Sequence, residues 1–203
     1  MTGRLIAFEG GEASGKSTQA SVLAHRLGAV LTREPGGTDL GVRLRALLLD
    51  HVTTELDVRA EALLMAADRA QHVATVIRPA LQDGRDVVTD RFVGSSLAYQ
   101  GHGRELDVDE VWRLSAFATG GLEPDLVILL DVTPEVAASR LEEQPDRIES
   151  AGAEFHGRVR AGYLNLAEAE PDRWVVLDGA ATPDVVTAAV AAAVDQRLGR
   201  LDP

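Results

Sequence analysis

Five short apolar runs alternate with longer stretches of helical periodicity along the chain. The runs occupy residues 5–8, 30–32, 87–89, 126–131 and 174–177. Each is brief, rich in Val, Leu and Ile, and bounded by polar or turn-forming residues, which is typical of buried strands in a parallel sheet. Strands that alternate with helices indicate βαβ units with right-handed crossovers. The pattern therefore predicts an α/β fold, a five-stranded parallel sheet with helices on both faces.

Helical periodicity fills the segments between these runs. The predicted helices cover the segment up to residue 28, residues 40–82 with a break near 50–54, 108–118, 133–143, 155–170 and the segment from 182 onward. Residues 57–80 place apolar side chains, Leu63 and Ala67 among them, on one continuous face. In the helix at 108–118 we expect Trp112 and Phe117 to lie in the core, because large aromatic residues are usually buried.

Length and composition indicate a single domain. A chain of 203 residues, 45% of them hydrophobic, can bury a sizeable core, and no linker, repeat or low-complexity tract divides it. We therefore expect residues 1–203 to form one domain. Residues 144–152 are polar and predict a mobile excursion between two helices.

Charge, hydropathy and cysteine content limit the kinds of partner that the protein can bind and predict its cellular compartment. The net charge of −12 argues against a nucleic-acid-binding protein but allows a nucleotide site held by a few arginines. No apolar run approaches the roughly 18 residues that cross a membrane, so no membrane partner is expected. The chain has no cysteine and no room for a signal peptide before Leu5, which together predict a cytoplasmic protein without disulfides or thiolate metal sites.

The segment after the first run fits a phosphate-binding loop. Gly10 to Ser17 match the pattern G-x-x-x-x-G-K-[ST]. At this spacing backbone N–H groups surround a phosphate, and the next helix directs its positive end at the same anion. Lys16, the only lysine in the chain, is expected to reach the β- and γ-phosphates, and the Ser17 hydroxyl to bind Mg²⁺. The residues predicted to hold ATP here are Gly10, Gly11, Glu12, Ala13, Ser14, Gly15, Lys16, Ser17 and Thr18.

Charged residues directly follow two other predicted strands. Arg33 follows the second run and precedes a loop of proline and glycine, and Asp90 and Arg91 follow the third run. Ligands of open α/β sheets bind at the carboxyl ends of the strands, so these side chains are candidates for an anion site. On position alone, Arg33 could equally be a surface arginine. Residues 95–101 supply hydroxyl, amide and aromatic groups suited to a base or a sugar.

The phosphate loop, with Phe8-Glu9-Gly10 before it, is followed along the chain by five further motifs, namely Arg33-Glu34-Pro35-Gly36-Gly37-Thr38, Ala66-Ala67-Asp68-Arg69-Ala70-Gln71, Asp90-Arg91-Phe92, Ser95-Ser96-Leu97-Ala98-Tyr99-Gln100-Gly101 and Asp146-Arg147-Ile148-Glu149. In this order the motifs resemble those of the bacterial thymidylate kinases, and the resemblance covers nearly the whole chain. Each is weak alone except the loop, but their joint presence in order is highly specific. The resemblance implies a P-loop nucleoside monophosphate kinase that converts dTMP to dTDP with ATP and Mg²⁺, working as a homodimer.

The resemblance also implies roles on the acceptor side. Arg91 would bind the dTMP phosphate, Asp90 would support Mg²⁺ and the phosphate geometry, and Arg69 would hydrogen-bond the thymine edge. Glu12 would approach the sugar 3′-hydroxyl. The remaining base and sugar contacts would come from Met65, Ser96, Tyr99 and Gln100.

On the donor side, the resemblance implies that Arg147 lies on a lid, at about residues 144–153, that closes over ATP and stabilises charge in the transition state. Arg140 and the turn that contains Ala180 would border the adenine. Arg33 and Arg45 are expected near the phosphates. No general base is required, because the acceptor is a phosphate monoester that is largely ionised at neutral pH.

Two positions depart from the family pattern. Met65 stands where an aromatic ring usually stacks on thymine, which puts the affinity for the pyrimidine in question. Ala13 stands where some members of the family have an arginine in the phosphate loop, so Arg147 would carry more of the charge stabilisation.

Two other functions fit parts of the sequence. The nearer one is a kinase for another nucleotide or for a deoxynucleoside, and a deoxynucleoside kinase would need a base for a hydroxyl acceptor, with Glu12 or Asp90 as the candidates. A nucleotide-binding switch would need only the phosphate loop, whereas arginines at three separate strand or lid positions favour a second phosphate ligand.

Overall fold

A parallel sheet forms the centre of the fold. The computed structural model describes residues 3–50, 56–140 and 146–199. Within these ranges five strands, β1 to β5, run parallel in the spatial order β2-β3-β1-β4-β5. They span Leu5–Glu9, Val30–Arg33, Val87–Asp90, Leu126–Asp131 and Trp174–Asp178. The predicted five-stranded parallel sheet is confirmed, and every strand ends within one residue of its predicted bounds.

Nine α-helices, α1 to α9, lie within the same ranges. They span Lys16–Leu27, Asp39–Leu49, Val58–His72, Arg78–Gln82, Val93–Ser96, Val108–Thr119, Pro134–Arg140, Ala153–Ala169 and Pro183–Leu198. Wider π-helical turns at Val73–Ile77 and Leu97–Gly103 continue α3 and α5. No helix in this part of the chain is long and apolar enough to span a membrane.

Helices cover both faces of the sheet, as predicted. Ile6 and Phe8 of β1 pack with residues of α1 and α9 in one buried cluster. Leu5 and Ala7 point the other way and pack with α4, α8 and the two π-helical turns. Alternate residues of one strand thus supply both cores, because successive side chains of a strand point to opposite faces.

The strand register brings the predicted ligand-binding residues to one edge. Phe8 of β1 pairs with Asp90 of β3, and Asp90 also pairs with Arg33 of β2. Glu9, the last residue of β1, pairs with Leu129 of β4. The phosphate-binding loop therefore leaves the centre of the sheet with charged strand ends beside it.

Two aromatic residues expected in the core lie at the surface. Trp112 is 51% exposed and Phe117 87% exposed. Val111, Ser115 and Ala118 form the buried side of α6 instead. The expectation was wrong because it followed residue type, whereas the helical spacing of the buried positions turns both rings away from the sheet.

The continuous apolar face expected along residues 57–80 is divided. Ala62 and Ala66 are buried, but Leu63 is 58% exposed and Ala67 is exposed as well. α3 lies between α2 and α6 and packs against both. Its apolar residues therefore serve two surfaces, one facing the core and one facing outward.

The predicted lid is described in part. The helix expected to reach about residue 143 is described as α7, up to Arg140, and residues 141–145 lie outside the described residues. After them, Ile148 is buried, and the backbone N–H of Arg147 donates to the Leu49 carbonyl oxygen at 3.2 Å. This portion of the segment is docked on the end of α2.

Candidate active site

The phosphate-binding loop joins β1 to α1 in the predicted place. Gly10 has a φ of 145°, and a Cβ there would come within 2.5 Å of the Leu130 carbonyl oxygen, so this position requires glycine. α1 begins at Lys16, directly after Gly15, and its first turn carries no acidic side chain. Loop amides and the positive end of α1 therefore face one pocket that suits phosphate groups.

Lys16 is buried at the wall of this phosphate pocket. Its Nζ donates to the Gly11 carbonyl oxygen at 2.6 Å and to Ser14 Oγ at 3.2 Å. Burial and the nearby Arg91 lower the pKa of Lys16 to about 8, against the opposing pull of three carboxylates. An anion in the pocket would raise that pKa again, so phosphate binding and the protonation of Lys16 are coupled.

Ser17 and Asp90 meet beside the loop in a way that fits a cation. The Ser17 hydroxyl donates to Asp90 Oδ2, while Asp90 Oδ1 is buried without a hydrogen-bond partner among the described residues. Such an oxygen is costly to bury unless something binds it. Hydroxyl and carboxylate oxygens are hard ligands of the kind Mg²⁺ prefers. Nowhere in the described ranges do three or more acidic, His or Cys side chains cluster, so water and phosphate would complete the coordination.

Arg91 connects the loop to the wall of a second pocket. One Nη donates to the Gly10 carbonyl oxygen at 3.0 Å and the other to Glu12 Oε1 at 2.7 Å. The guanidinium also lies 5.0 Å from the centre of the Tyr99 ring. Burial raises the pKa of Glu12, but Arg91 and Lys16 outweigh it and hold that pKa at about 2. Glu12 is therefore an ionised partner that orients Arg91.

Glu9 supports Arg91 from behind, a role the sequence analysis missed. The buried carboxylate accepts the backbone N–H groups of Phe92 and Ser95, both at 3.0 Å. It also accepts the Ser95 hydroxyl at 2.6 Å and the Tyr163 hydroxyl at 3.1 Å. Both hydroxyls in turn accept from Arg91, at 3.2 and 3.3 Å. The sequence offered one signal for Glu9, because a glutamate directly continues an apolar strand. It offered no signal for Tyr163, which lies far away along the chain.

A second pocket beside Arg91 gathers most of the residues predicted for the nucleotide base. It is bordered by α3, the turn Leu97–Gly103 and the loop after β2. The predicted substrate residues in its lining are Met65, Arg69, Arg91, Ser96, Tyr99 and Gln100. The other two, Arg33 and Asp90, line the phosphate pocket instead. We call this second space the base pocket.

Arg69 is held firmly within the wall of the base pocket. Its Nε donates to Glu34 at 2.7 Å, and one Nη donates to the Phe92 carbonyl oxygen at 3.0 Å. The other Nη donates to the Ser96 and Ser115 hydroxyls at 3.0 and 3.3 Å. These bonds use four of the five guanidinium N–H groups. One N–H therefore remains for a ligand, and Glu34 is a second glutamate that the sequence analysis did not assign.

Arginines crowd the phosphate pocket. Arg33, Arg45, Arg91 and Arg140 line it together with Lys16. Burial and the charges of Arg33 and Arg91 lower the pKa of Arg45. Like charges at this density favour the binding of anions. Arg33 lines this pocket although it is an exposed residue.

Arg140 ties the phosphate loop to the turn after β5. One Nη donates to the Gly179 and Ala13 carbonyl oxygens at 2.9 and 3.4 Å. The other donates to the Ala180 carbonyl oxygen at 3.2 Å. The two segments predicted to border the adenine are thus brought together with the loop.

Arg147 lies apart from the phosphate loop. Its Nε donates to the Leu48 carbonyl oxygen at 2.8 Å, and an Nη donates to Glu61 Oε2 at 2.8 Å. It does not line the phosphate pocket with Lys16 and Arg91. A role above ATP would therefore require this part of the lid to move.

Comparisons with known proteins agree with this geometry. The family model for thymidylate kinase matches residues 8–190. The chain is 50% identical over 198 residues to a thymidylate kinase of Bifidobacterium longum (strain DJO10A), which covers 94% of this chain and 96% of that protein. It is 50% identical over 204 residues to a thymidylate kinase of Leifsonia xyli subsp. xyli, which covers 97% of this chain and 96% of that one.

A solved structure extends the agreement to the fold. The crystal structure of thymidylate kinase from Ehrlichia chaffeensis matches with a TM-score of 0.79 at 31% sequence identity, over 96% of this chain and 99% of that chain. The sequence motifs, the two adjoining pockets and these relatives lead to one assignment. This chain belongs to the thymidylate kinase family, the nucleoside monophosphate kinases that phosphorylate dTMP with ATP.

Proposed function

We propose that this chain transfers the γ-phosphate of ATP to dTMP, giving ADP and dTDP for dTTP synthesis. The observation that carries the proposal is the position of Arg91, whose Nη groups contact the Gly10 carbonyl oxygen at 3.0 Å and Glu12 at 2.7 Å. One guanidinium thus borders both the phosphate pocket and the base pocket. A donor phosphate on the loop and an acceptor phosphate at the mouth of the base pocket would meet beside it.

The chemistry asks for positioning and positive charge. The dTMP phosphate has a second pKa of about 6, so it attacks as an anion without a general base. Repulsion between two anions is the main obstacle. In our proposal Lys16 binds the β- and γ-phosphates, Arg91 holds the acceptor phosphate, and Arg33 and Arg45 add positive charge nearby.

We assign Mg²⁺ to Ser17 and Asp90. The unpartnered Asp90 Oδ1 beside the Ser17 hydroxyl supports this choice. When bound there, the ion would neutralise negative charge on the phosphate groups. Ser17 and Asp90 would supply oxygen ligands on one side of the ion.

The base pocket would hold the base and sugar of dTMP. The free N–H of Arg69 faces a carbonyl of the thymine edge in this proposal, and Met65 packs on the ring through its polarizable sulfur. The Tyr99 hydroxyl donates to Glu12 at 2.7 Å, which steadies Glu12 for the sugar 3′-hydroxyl. Ser96 contributes by holding Arg69, at 3.0 Å.

For the donor, we propose that Arg140 and the turn around Ala180 border the adenine, and that residues 144–153 act as a lid that brings Arg147 to the transferred phosphate. In support, Arg140 bridges the loop and that turn. The contacts of Arg147 with Leu48 and Glu61 then describe an open position of the lid.

We propose that the enzyme is a homodimer and that its interface includes α2, α3 and α6. These three helices pack side by side and carry large apolar side chains with about half or more of their surface exposed. The exposed residues are Leu40, Val42, Leu47, Leu63, Trp112 and Phe117. Apolar surface gathered in this way is typical of a protein–protein interface.

Oligomeric state measured by sedimentation tests the interface. Phe117→Glu should convert a dimer to a monomer, because burying a charge without a partner opposes association. Val185→Glu is the matched control, since Val185 is 58% exposed on α9, outside the proposed interface. A monomeric wild-type protein, or a Phe117→Glu variant that remains dimeric, would contradict the proposal.

ADP release with ATP and Mg²⁺ tests the activity, with dTMP, dUMP, dCMP, AMP and thymidine as acceptors. A strong preference for dTMP is expected. A preference for thymidine would instead indicate a deoxynucleoside kinase, and ADP release that no acceptor accelerates would indicate a nucleotide-binding switch. Because both substrates are nucleotides of the cell interior, we expect the reaction to take place in the cytoplasm.

A further inference from the structure

Glu61 is a buried carboxylate at the edge of the base pocket that neither the motifs nor the mechanism uses. It lies in the first turn of α3 and is 1% exposed. Gln100 Nε2 donates to its Oε1 at 2.9 Å, Arg104 Nη2 to its Oε2 at 3.1 Å, and Arg147 Nη2 to the same oxygen at 2.8 Å. Three side chains from outside α3 thus converge on one carboxylate.

The charge state of Glu61 follows from these contacts. Burial raises its pKa, but the hydrogen bonds from Gln100, Arg104 and Arg147 outweigh burial and leave the pKa below its ordinary value. Glu61 is therefore ionised at neutral pH. An ionised carboxylate accepts hydrogen bonds and has none to donate.

An acceptor-only partner determines which end of the Gln100 amide faces it. Only the NH₂ end can bond to Glu61, so the carbonyl oxygen must point the other way. The orientation of the Gln100 amide thus follows from the chemistry of Glu61. It does not depend on telling the amide oxygen from the amide nitrogen by their positions. Gln100 is 1% exposed and lines the base pocket. Within the described residues, the one side-chain hydrogen bond of Gln100 is that from Nε2 to Glu61, so its Oε1 is available to a ligand in the pocket that Gln100 lines.

We propose that Glu61 is a specificity-positioning residue: through its bond to Gln100 it holds an amide carbonyl toward the acceptor base, and so selects a pyrimidine that presents an N–H at that edge. Uracil and thymine carry a hydrogen on N3, whereas cytosine presents a lone pair there. A lone pair opposite a fixed carbonyl oxygen leaves two acceptors facing each other without a proton. The inference rests on the proposed activity toward dTMP.

The rest of the pocket leaves this selection to few groups. Met65 lies one helical turn beyond Glu61 on the same face of α3, and Arg69 one turn further. Contact between Met65 and the flat face of a base is tolerant of base identity, as stacking contacts generally are. Arg69 has one N–H to offer. In this proposal Gln100 reads the N3 position, and Glu61 sets the orientation of Gln100.

The test compares dUMP with dCMP as acceptors, because both lack the methyl group and differ only at the N3–C4 edge. In Glu61→Gln the new amide can present either end to Gln100. In Glu61→Asp the carboxylate is one methylene shorter and loses its 2.9 Å contact while keeping its charge for the arginines. We expect the ratio of kcat/KM for dUMP over dCMP to fall by about tenfold or more in both variants. Glu61→Asp answers the question if Glu61→Gln does not fold.

Arg104→Met is the matched control. It removes the two hydrogen bonds from Arg104 to Glu61, at 3.1 and 3.3 Å, and leaves the contact with Gln100 in place. Its dUMP to dCMP ratio should remain that of the wild type.

The outcomes separate this inference from the proposed function. A purely structural role for Glu61 would lower both rates in parallel, and an unchanged ratio in folded Glu61 variants overturns the inference. If the wild-type enzyme does not phosphorylate dTMP, the proposed function itself is overturned, and with it the basis of the inference about Glu61.

Discussion

Raising the pH should weaken the binding of ATP through one side chain, Lys16. In the free enzyme burial and Arg91 lower the pKa of Lys16 to about 8, against an ordinary value of 10.5. Phosphate oxygens on Nζ favour the charged form and return the pKa toward its ordinary value. Because the complex binds this proton more tightly than the free enzyme, nucleotide binding takes up a proton, and the affinity falls as the pH rises.

The size of the effect follows if the bound nucleotide returns the pKa of Lys16 fully, from about 8 to its ordinary value of 10.5. Their difference corresponds to about 3 kcal/mol of interaction between Lys16 and the bound nucleotide. At pH 9 the free enzyme is about 10% protonated at this site and the complex about 97%, so binding takes up about 0.9 proton. At pH 7 the uptake is only about 0.1 proton. Between pH 7 and 9.5 the affinity should fall by about 30-fold.

Calorimetry in buffers of different ionisation enthalpy measures this uptake directly. A non-hydrolysable ATP analogue with Mg²⁺ is titrated into the enzyme at pH 7 and pH 9. The sequence makes the assignment clean, because Lys16 is the only lysine and the chain has no cysteine. Burial also raises the pKa of both tyrosines, Tyr99 and Tyr163, well above their ordinary values, so neither titrates in this range.

The Lys16→Met variant is the control, and its uptake at pH 9 should vanish. An uptake of less than about 0.3 proton by the wild-type enzyme at pH 9 would refute a lowered pKa of Lys16 in the free enzyme. That result would mean that Lys16 is already protonated in the free enzyme and that the carboxylates around it outweigh its burial.

Four other expectations concern the pockets. Met65→Phe should lower KM for dTMP by about 2- to 10-fold with kcat unchanged, because a ring stacks on a base more strongly than a thioether packs on it; an unchanged KM would contradict this. For the wild type, dUMP should be turned over about 10- to 200-fold less efficiently than dTMP, since a methyl group in an apolar pocket contributes about 1–3 kcal/mol, and undetectable turnover at saturation would count against it. Arg147→Ala should reduce kcat on the order of 10³-fold if the lid brings Arg147 to the transferred phosphate, whereas near-normal turnover would leave it as an anchor on Glu61. Asp90→Asn should raise the Mg²⁺ concentration needed for half-maximal activity, and an unchanged Mg²⁺ dependence would exclude Asp90 as a ligand.

The sheet could be predicted from the sequence because its signals are local. Each strand is a short apolar run that ends in a polar turn, and the loop from Gly10 to Ser17 is a contiguous motif. The surface of α6 could not be predicted in the same way. Whether Trp112 is buried depends on which side of the helix meets the rest of the fold, and residue type carries no information about that.

The same distinction divides the candidate site. That Arg33, Asp90 and Arg91 lie around one pocket could be predicted, because charged residues at strand ends point to a ligand-binding edge. The residues that support them come from separate elements. Tyr163 reaches Glu9 from α8, 154 positions along the chain, and no spacing rule connects the two. Contacts of this kind appear only once the helices are packed.

Three glutamates beside the pockets, of which the sequence analysis assigned Glu12, share a physical role that has a consequence for binding. Arg91, Arg69 and Arg147 are each bound by a glutamate, namely Glu12, Glu34 and Glu61, at 2.7 to 2.8 Å. A guanidinium buried before its ligand arrives needs such a partner, and loss of one partner typically costs about 3–5 kcal/mol.

The pairing also prepares the arginines for substrate. A side chain already fixed in one rotamer loses less entropy on binding, about 0.5–1.5 kcal/mol for a long side chain, so Glu34 and Glu61 can favour affinity without touching the nucleotide. They must also leave N–H groups free, as Glu34 and its neighbours do at Arg69. The net charge of −12 is therefore compatible with an anion-binding site, because the carboxylates nearest the pockets are paired with arginines and hold them in position.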